Sequence, residues 1–155
     1  MKKNRISKNW INKQRRDIYV RQSKIEGYRS RAVYKLKEIN DKFKILRNGQ
    51  SIVDLGGAPG SWSQYLSSTL KNTKLLAIDL LEIQEIKNVK LMKGDFTDDI
   101  YKQKIKSFFN TKIDLVISDM AVNTTGNKNL DAIVTGELAM AVSYTHLTLP
   151  TTSPV

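Results

Sequence analysis

The stretch "IVDLGGAPGSWSQYL", residues 52–66, sets three glycines and a proline between an apolar run and a run with helical character. Such a segment reads as a strand, a tight glycine turn and a helix that packs back over the strand. A chain carrying this unit has few architectures open to it. A buried strand followed by a helix must find parallel neighbours, and those need crossovers of their own.

The residues after the turn supply them. "SIVDL" reads as the first strand, "SWSQYLSSTL" as a helix that Ser61 could cap, and "KLLAI" as a second strand running up to Asp79. "VKLM" follows as a shorter strand ending near Asp95, then "DDIYKQKIKSFF" as a helix with Asp98 and Asp99 at its cap, then "IDLVIS" as a strand ending at Asp119. Short, largely apolar strands alternating with helices imply an α/β fold with a parallel sheet covered on both faces. Ahead of it, residues 8–25 and 30–45 read as two helices joined at Gly27. In the second, Val33, Leu36, Ile39 and Phe43 recur at helical steps and make one apolar stripe. Asn48-Gly49 marks the turn into the sheet. The organisation is a basic helical extension, 1–47, an α/β domain, 48–140, and a tail, 141–155.

Charge is distributed unevenly between these parts. Residues 1–47 hold 16 Lys/Arg against Asp17, Glu26, Glu38 and Asp41, whereas the remaining residues hold 10 against 11. The whole of the formal +11 therefore comes from the first third. Trp10, Tyr19, Tyr28 and Tyr34 are interleaved with the basic residues, a mixture suited to phosphate contacts and to stacking on unpaired bases. The ordinary alternative is a solvated charged face. With no cysteine and a single histidine, His146, neither a disulfide framework nor a thiolate or histidine-rich metal site is available, and no metal is expected. No stretch approaches the roughly 18 apolar residues of a membrane span, and the basic N-terminus lacks an apolar signal core. We expect a soluble, cytoplasmic monomer without membrane association.

Ligands of such sheets bind outside the carboxyl ends of the strands. An Asp closes or follows each apolar run, at Asp54, Asp79, Asp95 and Asp119, so four carboxylates could line one rim. Gly-rich turns hold phosphates in some proteins, dinucleotides in others and an adenosyl sulfonium in others again. A phosphate loop needs Lys and Ser/Thr after its last glycine, whereas Gly60 is followed by Ser61 and Trp62. A dinucleotide turn needs G-x-G-x-x-G, whereas Ala58 stands two positions after Gly56 and Asp54 would face a pyrophosphate. A carboxylate suits a cationic ligand such as S-adenosylmethionine. Asp79 could then accept from ribose hydroxyls and Asp95 from the adenine amine, while Gly56, Gly57 and Gly60 let the backbone approach without a Cβ.

"RSRAVYKLKEI", "VDLGGAPGSWSQYL", "AIDLL", "KGDFTDD" and "DLVISDMAVNTTG" together resemble the consecutive blocks of the FtsJ/RrmJ-type ribosomal RNA 2′-O-methyltransferases, over about residues 8–140. The resemblance implies a Rossmann-like methyltransferase fold, S-adenosylmethionine as donor, and the 2′-hydroxyl of a large-subunit (23S) rRNA uridine as acceptor, on naked rRNA or the assembled large subunit. Carried over by motif, it puts Gly60, Trp62, Asp79, Asp95 and Asp119 on cofactor-binding positions. Lys35 and Asp119 fall in its catalytic set. "SDMA" also lacks the N/D-P-P-Y/F strand end of enzymes that methylate exocyclic amines.

Methyl transfer to a hydroxyl is an in-line displacement, so the enzyme must align two atoms and manage one proton. The family pattern continues with a strand carrying its main catalytic lysine, further strands and a late glutamate. Here "AVSYTHLTLPTTSPV", residues 141–155, carries no charged residue and reads as unrelated sequence after a truncation, with C-terminal strands missing and activity impaired. An edge strand is the alternative for "SYTHLTL", and His146 within it reads as incidental. Two other functions stay open: a noncatalytic RNA- or ribosome-binding module, and a related methylase with another acceptor nucleotide. A dehydrogenase is disfavoured by Asp54 and Ala58.

Overall fold

The computed structural model describes residues 7–120. The tail of 141–155 and His146 lie outside them.

Helix α1, Lys8–Glu26, starts where the Ser7 hydroxyl accepts from the Trp10 N–H at 3.2 Å and ends at Gly27 in the left-handed conformation. Helix α2, Ala32–Phe43, buries Val33, Tyr34 and Leu36. The stripe expected along α2 is shorter than its sequence indicates: Phe43 is 63% exposed, because α2 ends there and Lys44 turns left-handed. Three of the four aromatics read as suited to base stacking pack on one another. The Tyr34 ring is buried and stacks on Tyr19 at 5.2 Å, while Tyr28 meets Tyr34 edge-on at 6.4 Å. The Lys37 ammonium sits 4.6 Å from the Tyr28 ring centre and pairs with Glu26 at 3.1 Å. Trp10, at 54% exposure, does face solvent.

Strand β1, Ser51–Leu55, leads through the glycine turn into α3, Ser61–Thr69. Strands β2, Lys74–Asp79, and β3, Val89–Lys93, follow, then α4, Asp99–Phe109, and β4, Leu115–Ser118. All pairings are parallel, in the order β3-β2-β1-β4. The chain therefore builds outward from β1 to β3 and then returns to β1's other side. Between β1 and β4 the direction of winding reverses, which leaves a crevice at their carboxyl ends.

Strand alternation divides the core. Val53 and Leu55 pack with Leu76, Ile78, Ile105 and Phe109 under α4, while Ile52 packs with Leu36, Trp62, Leu66 and Ile117 under α2 and α3. Asp54, in register with Ala77 and Ile117, shares the parity of Ile52 and so points to the α3 side, into an otherwise apolar layer. Truncating Leu66 or Phe109, both fully buried, would cost about 2–5 kcal/mol.

Candidate active site

The turn after β1 is shaped by its neighbours as much as by any ligand. Gly56 has φ +70°, and a Cβ there would lie 2.0 Å from Met120 Cγ. Gly60, at φ +110°, is the N-cap of α3 and makes no side-chain cap; a Cβ there would meet Ile86, Arg29 and Ile83 within 3.1 Å. The expected cap at Ser61 is therefore displaced by one residue. Ser61 is the first helical residue, and its hydroxyl, 2.8 Å from that of Ser30, ties α3 to the segment before α2. A cis peptide bond joins Ala58 to Pro59.

Arg29 closes this end of the molecule. Its guanidinium donates to the carbonyls of Pro59 at 3.0 Å, Gln84 at 2.8 Å and Glu85 at 2.7 Å. The helical extension is thereby fastened to the glycine turn and to the loop after β2. Trp62 adds a second clasp, donating its indole N–H to the Ala32 carbonyl at 2.7 Å.

A cavity of about 50 Å³ opens within this frame, lined by the glycine turn, Ser30, Ala32, Asp54, Trp62 and Asp119. It continues into a larger groove of about 490 Å³ between Tyr19, Arg31, Tyr34, Lys35, Glu38 and Asp119. Asp119 belongs to both walls. Lys35, one turn into α2, reaches across the groove to form an ion pair with it. Among the described residues the buried Tyr34 hydroxyl has no hydrogen-bond partner, and burial pushes its pKa up.

The carboxylates differ in their surroundings. Asp54 is 2% exposed and accepts from the Ser63 hydroxyl at 2.8 Å. Burial pushes its pKa up to about 7; the Ser63 bonds oppose the rise, and the charges of Asp79 and Asp119 add to it. Asp79, at the end of β2, accepts from the Ala58 N–H at 3.0 Å and the Leu81 N–H at 2.8 Å, so it braces the glycine turn. Asp95 lies two residues beyond β3 and is exposed; the Thr97 hydroxyl and N–H donate to it and hold its pKa below the usual value. The Gly94 N–H, 2.8 Å from the Asp79 carbonyl, joins the two loops. Among the residues read from the sequence, Lys35, Trp62 and Asp119 meet at the two cavities. Asp79 adjoins them through Ala58, and Gly60 and Asp95 stand outside both linings.

These walls accept one kind of ligand better than another. Among the described residues no cation lines the smaller cavity, whereas two carboxyl groups do, so the lining offers a phosphate no counter-charge and offers an ammonium or sulfonium acidic partners. Among the described residues no group of three or more His, Cys, Asp or Glu is placed to hold a metal ion.

Comparison with known proteins agrees with the crevice. A family model described as FtsJ-like methyltransferase matches residues 28–150. The chain belongs to the FtsJ-like methyltransferase family. Its curated relatives include a ribosomal RNA large subunit methyltransferase E from Pelagibacter ubique, 64% identical over 140 residues, covering 90% of this chain and 69% of that protein. The protein of the same name from Rickettsia akari is 47% identical over 135 residues, covering 83% of this chain and 60% of that one. This FtsJ-like chain thus spans about two thirds of the length of such relatives. A solved structure named as a ribosomal RNA methyltransferase from Plasmodium falciparum superposes with a TM-score of 0.69 at 34% identity, covering 75% of this chain and 69% of that one.

Sequence reasoning passed over Arg29, Ser30 and Glu38 in the FtsJ-like site, and took Tyr19 for a base-stacking residue of the arm without placing it in the groove. Arg29 read as one more basic residue of the arm, since nothing local marks a side chain whose partners lie 30 to 56 positions away. Glu38 was the one recoverable signal. It stands three residues from Lys35, on the same face of a helix.

Proposed function

We propose that the chain binds S-adenosylmethionine in the cavity behind the glycine turn and serves 2′-O-methylation of a uridine in large-subunit rRNA. The observation that carries this reading is the Lys35–Asp119 pair, which stands where the small cation-attracting cavity opens into the groove. When bound, S-adenosylmethionine supplies an electrophilic methyl group on a sulfonium. Asp79 has both oxygens fixed by backbone N–H groups, so its remaining lone pairs are aimed for hydroxyl donors, and Asp95 is held through its Oδ1 by the Thr97 N–H and hydroxyl, which leaves its Oδ2 open to a donor. Asp119 orients the Lys35 ammonium, and that ammonium holds an acceptor oxygen at the cavity mouth. The ordered pair contributes positioning. Full proton handling belongs to the further lysine that the family pattern sets beyond residue 140.

The acceptor side fits RNA. Helix α1 presents Lys8, Lys13, Arg15, Arg16, Arg21 and Lys24 at an exposed surface with Trp10 among them, and such a face tracks a phosphate backbone. The substrate is large-subunit rRNA, free or assembled, met in the cytoplasm by a monomer. No helix among the described residues is long and apolar enough to cross a membrane.

The deciding experiment gives the purified chain methyl-labelled S-adenosylmethionine with large-subunit rRNA and, separately, with large ribosomal subunits. Label recovered as 2′-O-methyluridine is expected. Label on a base atom or on another nucleoside would replace the acceptor. A version carrying the C-terminal third of a family relative should turn over at least about a hundredfold faster, the lower end of what positioned proton transfer contributes. Equal turnover would show that residues 141–155 already do that work.

A further inference from the structure

Asp54 stands apart from the other described acids of the chain. It projects from a central strand into the layer of Ile52, Leu66 and Trp62, is 2% exposed, and among the described residues has Ser63 alone at hydrogen-bond distance. A buried carboxylate normally needs a cation or several donors to stay ionised. The described groups facing it offer neither. From β2 comes Asp79, and from the end of β4 comes Asp119, both of like charge; α3 contributes Ser61, Trp62 and Ser63; the Lys35 ammonium of α2 is engaged by Asp119. The turn adds Gly57, where a Cβ would lie 3.0 Å from the Asp54 carboxylate, so the main chain is pressed against it. Among the described residues, no cation of the protein lines the cavity that Asp54 borders.

We propose that Asp54 is a proton-exchanging contact for the cationic cofactor: its carboxyl is protonated at rest and releases that proton to solvent when an ammonium or sulfonium enters the cavity. The inference rests on the S-adenosylmethionine reading above and deepens it. The ligand brings the positive charge that the walls lack, the O–H bond of Asp54 breaks, and the charge pair replaces a neutral acid. Binding is therefore coupled to pH by linkage. The rise of Asp54 to about 7 fixes where the coupling appears. Below that pH almost every binding event releases a proton, and above it few do. The ligand's own α-amino group titrates near 8, so the informative window closes at about pH 7.

The test is calorimetric titration of the chain with S-adenosylmethionine at pH 5.5, 6, 6.5 and 7, each in two buffers of different ionisation enthalpy. Release of close to one proton at pH 6 and about half a proton at pH 7 is expected, with affinity rising about five- to tenfold between pH 5.5 and 6.5. In Asp54→Asn the buffer dependence should vanish and the affinity become flat, which also separates Asp54 from His146, the chain's one histidine. Asp79→Asn and Asp119→Asn should still release a proton. Binding with no buffer-dependent heat and a flat affinity overturns the inference while leaving the cofactor reading intact. Release that persists in Asp54→Asn overturns it as well. No binding at any pH removes the cofactor reading and the inference with it. Should the Asn variant fail to fold, the same buffer series on His146→Gln decides: release that persists there supports Asp54, and release that vanishes overturns the inference.

Discussion

The Trp62 indole N–H donates to the Ala32 carbonyl at 2.7 Å, so the first residue of α2 hangs from the second residue of α3. Lys35 lies one turn further along α2, and its position over the groove depends on this suspension. Trp62→Phe keeps the ring and removes the donor. It should lower stability in urea by about 1–2 kcal/mol, since the Ala32 carbonyl is left half-buried and unpaired. A loss below about 0.3 kcal/mol would show that the bond does not hold the helix.

The Lys35–Asp119 pair should matter to chemistry and hardly to folding. The Lys35 side chain is 61% exposed. Exposed pairs contribute about 0–1 kcal/mol. Lys35→Ala should therefore leave the melting temperature within about 3 °C, at roughly 2–4 °C per kcal/mol for a chain of this size. Methyl transfer should fall by a factor of about a hundred or more, with S-adenosylmethionine affinity nearly unchanged. Comparable loss of binding and turnover would move Lys35 out of the acceptor side.

Asp79 braces the glycine turn from below, through the Ala58 N–H. Asp79→Ala should weaken S-adenosylmethionine binding by about 1–3 kcal/mol, the cost of hydroxyls and amides left without acceptors. Unchanged affinity by calorimetry would take Asp79 out of the site.

Stability should depend on pH with a sign set by Asp54. Its folded-state pKa, about 7, lies above the ordinary 3.8, so the native state retains a proton that the unfolded chain gives up. Stability should fall as pH rises from about 4 to about 7 and then level off, with a slope of at most roughly 1.4 kcal/mol per pH unit. Asp95 and Glu26, both lowered, act in the opposite direction and lose their contribution below about pH 4. Asp54→Asn should flatten the neutral limb and be the more stable protein at pH 8. A wild-type curve rising through that interval would show that Asp54 is ionised when folded.

The basic arm predicts a salt dependence. If it neutralises about five phosphates, log affinity for a structured RNA should fall against log salt with a slope of about −4. Replacing exposed Arg15, Arg16 and Arg21 by Gln should reduce that slope by about 2 to 3 while cofactor affinity stays the same. A slope near zero in the unaltered chain would remove the electrostatic interface.

The strands of this fold were legible because each is a short apolar run with a polar or glycine stop, and parity along "SIVDL" already separates Asp54 from Val53. The strand ends therefore located Asp79 and Asp119 on one rim from sequence alone. Periodicity marks a buried face without naming what covers it. That is why Tyr28 and Tyr34 read as outward-facing aromatics of a basic arm, when Tyr34 packs beneath Tyr19 and Tyr28 lies against Lys37. It is also why Ser61 read as a cap. The serine pattern is right for one, but the turn enters α3 through Gly60, and the Ser61 hydroxyl is turned toward Ser30.

The three carbonyls gripped by Arg29 belong to residues 59, 84 and 85. At about 5–20 residues per second, translation supplies Glu85 roughly 3–11 seconds after Arg29. Through that interval the basic extension lacks the loop after β2 that Arg29 grips. Arg29 therefore waits for its partners: the segment made first is fastened only after the glycine turn and the loop beyond β2 have been made.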